Sequence, residues 1–259
     1  MYNTVKTKLK EGKQVVGDTV SSHDPEVYCA MANAGFDFTW IEMQHSVLDY
    51  SQVANMIRYC KGASAIPFIR VPDATEGDIQ KAMDLGALGI IVPMVDTVEK
   101  IKNAVRFANY PPAGVRSQGG GQYGAMWGAD YRQTANDNLV IVAMIENPNG
   151  VAIADQIAAV PGVDVVFVAS TDLGSFSGFK QGQPEYEALV DKIKAAVLAK
   201  GLKLGAPHAW QSTRKDYVFF QAAGETTLIR MGAQAALKGG LMTTDAPRGV
   251  APIEGAEKR

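Results

Sequence analysis

The stretch LVIVAMIENPNGVAIADQIAAVPGVDVVFVASTD, Leu139–Asp172, contains two apolar runs separated by a helical segment. The runs, Leu139–Ile145 and Val163–Ala169, have the length and β-branched content of buried strands. A strand, a helix and a second strand in succession give parallel strands in one sheet. Glu146 and Asp172 follow the two runs, so both carboxylates are expected at the same edge of that sheet.

This pair of acids predicts a site for a hard metal ion. Carboxylate oxygens suit Mg²⁺ or Mn²⁺, which take one or two carboxylates and leave coordination positions for water and substrate. Each acid alone is explained equally well as the N-cap of the following helix. Because both acids have the same placement after a strand, a metal site is favoured over two separate N-caps.

Short apolar runs alternate with amphipathic segments along the rest of the chain. Eight strands are predicted, at 14–20, 36–43, 66–71, 89–95, 139–145, 163–169, 203–206 and 226–231. Helices are predicted at 25–33, 50–60, 77–85, 98–108, 150–159, 185–200, 212–222 and 234–241. Eight βα units in one chain of 259 residues indicate a (β/α)8 TIM barrel. We assign residues 1–245 to this single domain and residues 246–259 to a C-terminal tail.

Residues 109–138 interrupt the alternation with prolines and glycines. They include a literal GxGxxG at Gly119, Gly121 and Gly124. A dinucleotide site requires a strand directly before that motif, and here Tyr110-Pro-Pro-Ala-Gly114 precedes it. We therefore expect a flexible loop over the barrel mouth.

Composition favours small molecules as partners and a cytoplasmic location. The net charge of −2 gives no reason to expect nucleic acid or an anionic membrane as a partner. No apolar segment is long enough to cross a membrane, and the first ten residues lack the apolar core of a signal peptide. Cys29 and Cys60 have no CxxC spacing, so we interpret both as small buried hydrophobic residues rather than a disulfide or a metal site.

The active site of a TIM barrel forms at the C-terminal ends of the strands. The polar residues expected there are Glu42, Gln44, His45, Arg70, Glu146, Asp172 and His208. Backbone N–H groups around Ser170, Thr171 and Asp172, which enter a helix or turn, are candidates to bind a substrate carboxylate.

Arg70 and His45 are the candidates for charge stabilisation and proton transfer. Arg70 lies in an otherwise uncharged strand, so its guanidinium is expected inside the barrel, facing a substrate oxygen or forming a buried structural ion pair. His45 is either an acid–base group or an ordinary capping histidine. Asp84 is a candidate to orient His45, although the sequence alone would make it a surface charge. No predicted strand interior contains a lysine, which argues against Schiff-base chemistry.

Several motifs together resemble one enzyme family. They are Ala34-Gly-Phe-Asp-Phe-Thr-Trp-Ile-Glu-Met-Gln-His-Ser46, Pro67-Phe-Ile-Arg-Val-Pro72, Asp84-Leu-Gly-Ala87, Val92-Pro-Met-Val95, Tyr110-Pro-Pro-Ala-Gly-Val-Arg116, Ile145-Glu146 and Asp172-Leu173. In this order, over roughly residues 10–240, the chain is similar to the HpcH/HpaI class II pyruvate aldolases.

The resemblance implies cleavage of a 4-hydroxy-2-oxoacid to pyruvate and an aldehyde through a pyruvate enolate, or the reverse reaction. It implies Mg²⁺, Mn²⁺ or Co²⁺ held by Glu146 and Asp172, Arg70 facing the pyruvyl oxygen, and a His45–Asp84 pair moving protons. It further implies a homohexamer, a trimer of dimers, in which neighbouring subunits exchange the C-terminal helix.

The chain departs from the family pattern at Glu42, Gln44, Met144 and Thr171, and in the loop at Ser117–Gly124. These departures leave the aldehyde acceptor open. They also leave two alternatives: oxaloacetate decarboxylation or another carbon–carbon lyase reaction through a pyruvate enolate, and a barrel that binds a 2-oxoacid without catalysis.

Overall fold

In the computed structural model, which describes residues 2–239, eight parallel strands close into a barrel in sequence order. The predicted (β/α)8 fold is therefore confirmed. The strands are β1 Val15–Val20, β2 Phe38–Glu42, β3 Ile66–Arg70, β4 Gly89–Val92, β5 Val140–Ile145, β6 Val165–Val168, β7 Lys203–Pro207 and β8 Tyr217–Gly224. The helices are α1 Thr4–Lys10, α2 Pro25–Ala32, α3 Tyr50–Tyr59, α4 Glu76–Asp84, α5 Val98–Ala108, α6 Tyr123–Trp127, α7 Tyr131–Asn138, α8 Pro148–Ala152, α9 Ala154–Ala158, α10 Ser170–Ser177, α11 Pro184–Ala199 and α12 Glu225–Leu237.

The barrel interior is filled by large side chains that alternate along the strands. Phe38 and Trp40 of β2 belong to the central cluster, as does Phe68 of β3. The packing is so close that Gly17 has no room for a side chain, because a Cβ atom there would lie 2.1 Å from the Phe38 ring. Because successive residues of a strand face opposite sides, the next inward residue of β2 is Glu42.

The C-terminal part of the barrel differs from the prediction. The predicted strand at 226–231 lies in α12, and the predicted helix at 212–222 overlaps β8. The β-branched run Thr226-Thr-Leu-Ile229 suggested a strand, but the helix begins directly after β8, at Glu225. The Glu225 carboxylate accepts hydrogen bonds from the N–H groups of Ser21 and Ser22, at 3.0 and 2.8 Å.

Residues 109–138 do not form a loop over the mouth, and that prediction is wrong. They contain α6 and α7 and lie at the N-terminal end of the strands, because α5 runs back to that end and β5 starts from it. The Gln122 N–H donates to the Asp84 carbonyl oxygen at 2.9 Å. A Cβ atom at Gly121 would lie 2.6 Å from the same oxygen, so this glycine permits close packing against the end of α4.

Arg116 anchors this segment. It is 2% exposed, its guanidinium lies 4.5–5.5 Å from three tyrosine ring centres, and it donates to Asp84 at 2.7 Å. Asp84 thus ends α4 at the N-terminal end of the barrel, whereas His45 follows β2 at the C-terminal end. The predicted His45–Asp84 pair is not made within this chain, since the residues lie at opposite ends.

Cys29 and Cys60 form a disulfide, which corrects their interpretation as free hydrophobic residues. Cys29 lies on α2 and Cys60 caps α3, and these helices pack side by side. Sequence spacing could not reveal the pairing, because the two cysteines are 31 positions apart and a complete strand lies between them. The cytoplasmic location was expected partly because both cysteines were interpreted as reduced, and the disulfide removes that argument.

The described residues up to Glu225 form one compact unit, and the described residues from Thr226 to 239 belong to a second. Within α12 the side chains of Ile229, Met231 and Leu237 are exposed. The final residues of the helix predicted at 234–241 and the tail predicted at 246–259 lie outside the described residues. Between residues 2 and 239, no helix has the length and apolar character needed to cross a membrane.

Asp18 is a buried acid without a hydrogen-bond partner. Its side chain is 0% exposed, and neither carboxylate oxygen has a partner among the described residues. It follows Gly17, whose Cβ position points into the barrel, so Asp18 faces outward from β1. Burial raises the pKa of Asp18 from 3.8 to about 7, and repulsion from Glu225 adds to the shift.

Because the folded-state pKa is raised, the folded protein holds this proton more tightly than the unfolded chain, and stability falls as pH rises from about 4 to 7. A shift of this size corresponds to roughly 4 kcal/mol. We expect Asp18→Asn to raise the melting temperature by several degrees at pH 8 and to change it little near pH 4. Asp137→Asn, which removes an exposed acid, is the control. An equal effect of Asp18→Asn at both pH values would contradict this account.

Candidate active site at the C-terminal end of the barrel

Glu42 connects the two residues predicted to carry charge stabilisation and proton transfer. Its Oε2 atom accepts hydrogen bonds from Arg70 and from Nε1 of Trp40, the latter at 3.1 Å. Its Oε1 atom accepts from the N–H groups of Gln44 and His45, at 2.8 and 2.9 Å. One carboxylate therefore fixes both the Arg70 guanidinium and the backbone that carries His45.

Arg70 lies inside the barrel, as predicted, because β2 and β3 pair in register with Glu42 opposite Arg70. It is 8% exposed and lies 5.6 Å from the centre of the Trp40 ring. Glu42 binds the Nε and Nη2 side of the guanidinium. Among the described residues, the contact found for Nη1 is the Met144 sulfur, at 3.9 Å. Since a thioether is a weak acceptor, Nη1 keeps N–H capacity for a substrate oxygen.

Glu146 and Asp172 lie together, as their positions after β5 and β6 predicted. Glu146 is 1% exposed. Burial raises the pKa of Glu146, and a hydrogen bond and repulsion from Asp172 raise it further; the Met94 N–H and the Arg70 charge oppose the shift. The two carboxylates and Arg70 are thus close enough to interact. Two neighbouring carboxylates carry more negative charge than Arg70 alone can neutralise, so the pair suits a divalent cation.

Asp172 lies in the first turn of α10, with Ser170 and Thr171. The helix begins directly after β6, and no side chain caps its N-terminus. The first N–H groups of a helix have no partner within it and favour an anion. Tyr186 fixes this turn from behind by donating to the Ser170 carbonyl oxygen at 2.9 Å.

Two histidines lie at the rim. His45 is exposed, and no hydrogen bond to its ring is found in the described part of the chain. His208 begins a short 3-10 turn after β7 and packs edge-on against Phe220 at 6.3 Å. Beside His45 in the chain, Gln44 has a side-chain oxygen that is buried without a partner among residues 2–239. An orphaned acceptor here is suited to a donor group of a substrate.

The structure brings together Arg70, Glu146 and Asp172 with the first turn of α10, and it keeps His45 attached to Glu42. Sequence reasoning missed Trp40, whose ring packs against the Arg70 guanidinium. Trp40 lies two residues before Glu42 on the same strand, so the alternation of a strand could have indicated that it faces the barrel interior. It also missed the Met94 backbone, whose N–H donates to Glu146 at 2.8 Å. No pattern of residue types marks a backbone donor.

Among the described residues, no cluster of three or more histidine, cysteine or acidic side chains suits a metal ion. Two acids, Glu146 and Asp172, are close enough at this end of the barrel to influence each other. A cation held by two carboxylates keeps positions for a chelating substrate and water.

The family model described as HpcH/HpaI aldolase/citrate lyase matches residues 20–237. The chain belongs to this family. A hydroxypyruvate/pyruvate aldolase of Pseudomonas aeruginosa is 31% identical over 248 residues, 92% of each chain. A 4-hydroxy-2-oxo-heptane-1,7-dioate aldolase of Salmonella dublin is 29% identical, over 91% of this chain and 93% of its own.

A solved structure of a family member from Burkholderia cenocepacia J2315 superposes with a TM-score of 0.83 at 27% identity, covering 92% of this chain and 98% of that one. Family membership confirms the predicted carbon–carbon lyase of the class II pyruvate aldolase type.

Proposed function

We propose that this aldolase cleaves a 4-hydroxy-2-oxoacid to pyruvate and an aldehyde, or joins them, with Mg²⁺, Mn²⁺ or Co²⁺ held by Glu146 and Asp172. The observation that carries the proposal is the acid pair beside Arg70, in which the burial of Glu146 and the neighbouring Asp172 raise the pKa of Glu146. The pyruvate named in the Pseudomonas relative supports the choice of substrate.

The donor set fits a hard divalent cation, because both ligands are carboxylates. When bound, such an ion supplies a Lewis acid that stabilises negative charge on the oxygens of the 2-oxoacid. Arg70 adds to this stabilisation through Nη1, which Glu42 leaves free. The first-turn N–H groups of α10, at Ser170, Thr171 and Asp172, orient the substrate carboxylate.

His45 takes the proton of the C4 hydroxyl as the C3–C4 bond breaks, and it returns a proton to C3 of the enolate. Its exposed ring can reach a substrate at the rim, while its backbone N–H donates to Glu42 and holds the residue in place. A positioned acid–base group of this kind contributes about 10²–10⁴-fold. Asp84 has no part in this step within the chain, because it binds Arg116 at the other end of the barrel.

Metal removal tests the proposal. We expect exhaustive EDTA treatment to abolish pyruvate release from 4-hydroxy-2-oxoacids and Mn²⁺ to restore it, because the enolate charge loses its main stabilisation. Borohydride with pyruvate should trap no lysine adduct. Full cleavage activity after chelation, or a trapped adduct, would refute a metal-dependent aldolase.

The same assay separates the alternatives. Oxaloacetate decarboxylation also passes through a pyruvate enolate, so oxaloacetate is tested beside the 4-hydroxy-2-oxoacids, and faster turnover on it would favour the decarboxylase. A binding barrel without catalysis would bind pyruvate with no solvent exchange of its methyl protons. Rapid exchange in the metal-loaded protein would exclude that alternative.

We further propose a homohexamer, a trimer of dimers with exchanged C-terminal helices, acting in the cytoplasm on small molecules alone. Three large apolar side chains on α12, those of Ile229, Met231 and Leu237, are exposed, which supports association because contact with a neighbouring subunit would remove them from water. Light scattering at micromolar concentration checks the assembly. A monomeric mass near 27.7 kDa would contradict it.

A further inference from the structure

Met94 has an uncommon backbone conformation beside the acid pair. It follows the buried Pro93 after β4, and its φ of +50° is the one positive φ of a non-glycine residue in the described chain. L-residues avoid this region because Cβ crowds the following carbonyl oxygen. Such conformations persist where the surroundings fix them, and they concentrate at functional sites.

The contacts on both sides of Met94 hold this conformation in place. The Met94 N–H donates to Oε1 of Glu146 at 2.8 Å. The Val95 N–H donates to the Met144 carbonyl oxygen at 3.0 Å. The Val95 carbonyl oxygen in turn packs so tightly against Gly150 that a Cβ atom there would lie 2.6 Å away. Residues 94–95 are therefore attached to the chain before and after Glu146.

We propose that Met94 is a positioning residue for Glu146 that acts through its backbone N–H rather than its side chain. The left-handed conformation lets the Met94 N–H reach Oε1 of Glu146 while the Val95 N–H binds the Met144 carbonyl oxygen, which fixes the carboxylate and leaves Oε2 to a divalent cation. With a negative φ at Met94 these two N–H groups could not both reach their acceptors. Glu146 is 1% exposed, so water could not replace the lost donor. The inference rests on the proposed metal site and adds a determinant of its affinity.

Three substitutions separate backbone from side chain. Met94→Gly removes the conformational penalty, because glycine adopts positive φ readily. Met94→Ala removes the side chain but keeps a Cβ atom. Met94→Val adds β-branching, which makes positive φ a genuine outlier. We expect the glycine and alanine variants to bind Mn²⁺, measured by calorimetry without substrate, within about threefold of the wild type. The valine variant should bind about 10–100-fold more weakly, the usual effect of losing a group that orients a metal ligand.

The outcomes distinguish this inference from the proposed function. Wild-type affinity in a folded Met94→Val protein, with binding lost in Glu146→Gln, would overturn the role of Met94 and leave the metal site intact. Equal losses in all three variants would assign the effect to the side chain and also overturn it. A wild-type protein that does not bind Mn²⁺ would refute the metal site itself. Met94→Thr, also β-branched, takes the place of Met94→Val if that protein does not fold.

Discussion

Glu146→Gln is expected to lower kcat/KM for pyruvate release by at least about 10³-fold, the equivalent of several kcal/mol of charge stabilisation by a metal ion. The amide keeps the volume of the side chain and an oxygen that can accept the Met94 N–H, which lies 2.8 Å from Oε1. The substitution therefore removes charge and little else. Mn²⁺ affinity should fall with activity, and both are measured, by calorimetry and by coupled pyruvate assay.

The stability of the same variant separates a metal-site defect from a folding defect. Because burial and Asp172 raise the pKa of Glu146, the carboxylate is a cost to the metal-free protein at neutral pH. Glu146→Gln should consequently melt at or above the wild-type temperature without metal. Glu99→Gln, at an exposed acid of α5, is the matched control. Near-wild-type turnover by the Glu146 variant would remove Glu146 from the metal site.

The sequence was sufficient to predict the edge of the sheet where the acids meet. Glu146 and Asp172 each follow a fully buried strand, and the strand order around the barrel is the order in the chain. Because the strands are parallel, their C-terminal ends must all lie at the same end of the barrel. Arg70 was placed inside the barrel for a similar reason, because a charge in an apolar strand must find a partner.

Contacts between distant segments were beyond sequence reasoning. The partner of Asp84 proved to be Arg116, 32 positions away and at the opposite end from His45. Periodicity shows that a residue lies on a helix but not which loop packs against the end of that helix. The Cys29–Cys60 disulfide was missed for the same reason, since it depends on two helices lying side by side. The prediction of the eighth strand failed for a different reason. Local β propensity favoured residues 226–231, whereas the strand that closes the barrel is Tyr217–Gly224.

Arg70 was given two interpretations from sequence, a substrate-binding group and half of a buried ion pair, and its geometry is compatible with both at once. Glu42 occupies the Nε and Nη2 side, and Nη1 faces the Met144 sulfur at 3.9 Å. Arginine can do this because its donors lie in a fixed planar fork. The ion pair orients the guanidinium, and the remaining donor is left for the substrate.

Arg70→Lys is therefore expected to lower kcat by about 10²–10³-fold, the usual cost of removing one donor from a developing oxyanion. A lysine ammonium can bind Glu42 or the substrate oxygen but lacks the fork that binds both. Mn²⁺ affinity should change little, because Arg70 is not a metal ligand. The measurements are kcat, pyruvate affinity, Mn²⁺ affinity and melting temperature.

Arg116→Lys supplies the comparison, since Arg116 is a buried arginine paired with a carboxylate at the other end of the barrel. Both substitutions weaken a buried ion pair and should lower the melting temperature, but only Arg70→Lys should lower kcat in protein that is still folded. If Arg70→Lys instead reproduces Arg116→Lys, with reduced stability and unchanged turnover, Arg70 is a structural residue. Stabilisation of the enolate charge would then fall to the metal ion without Arg70.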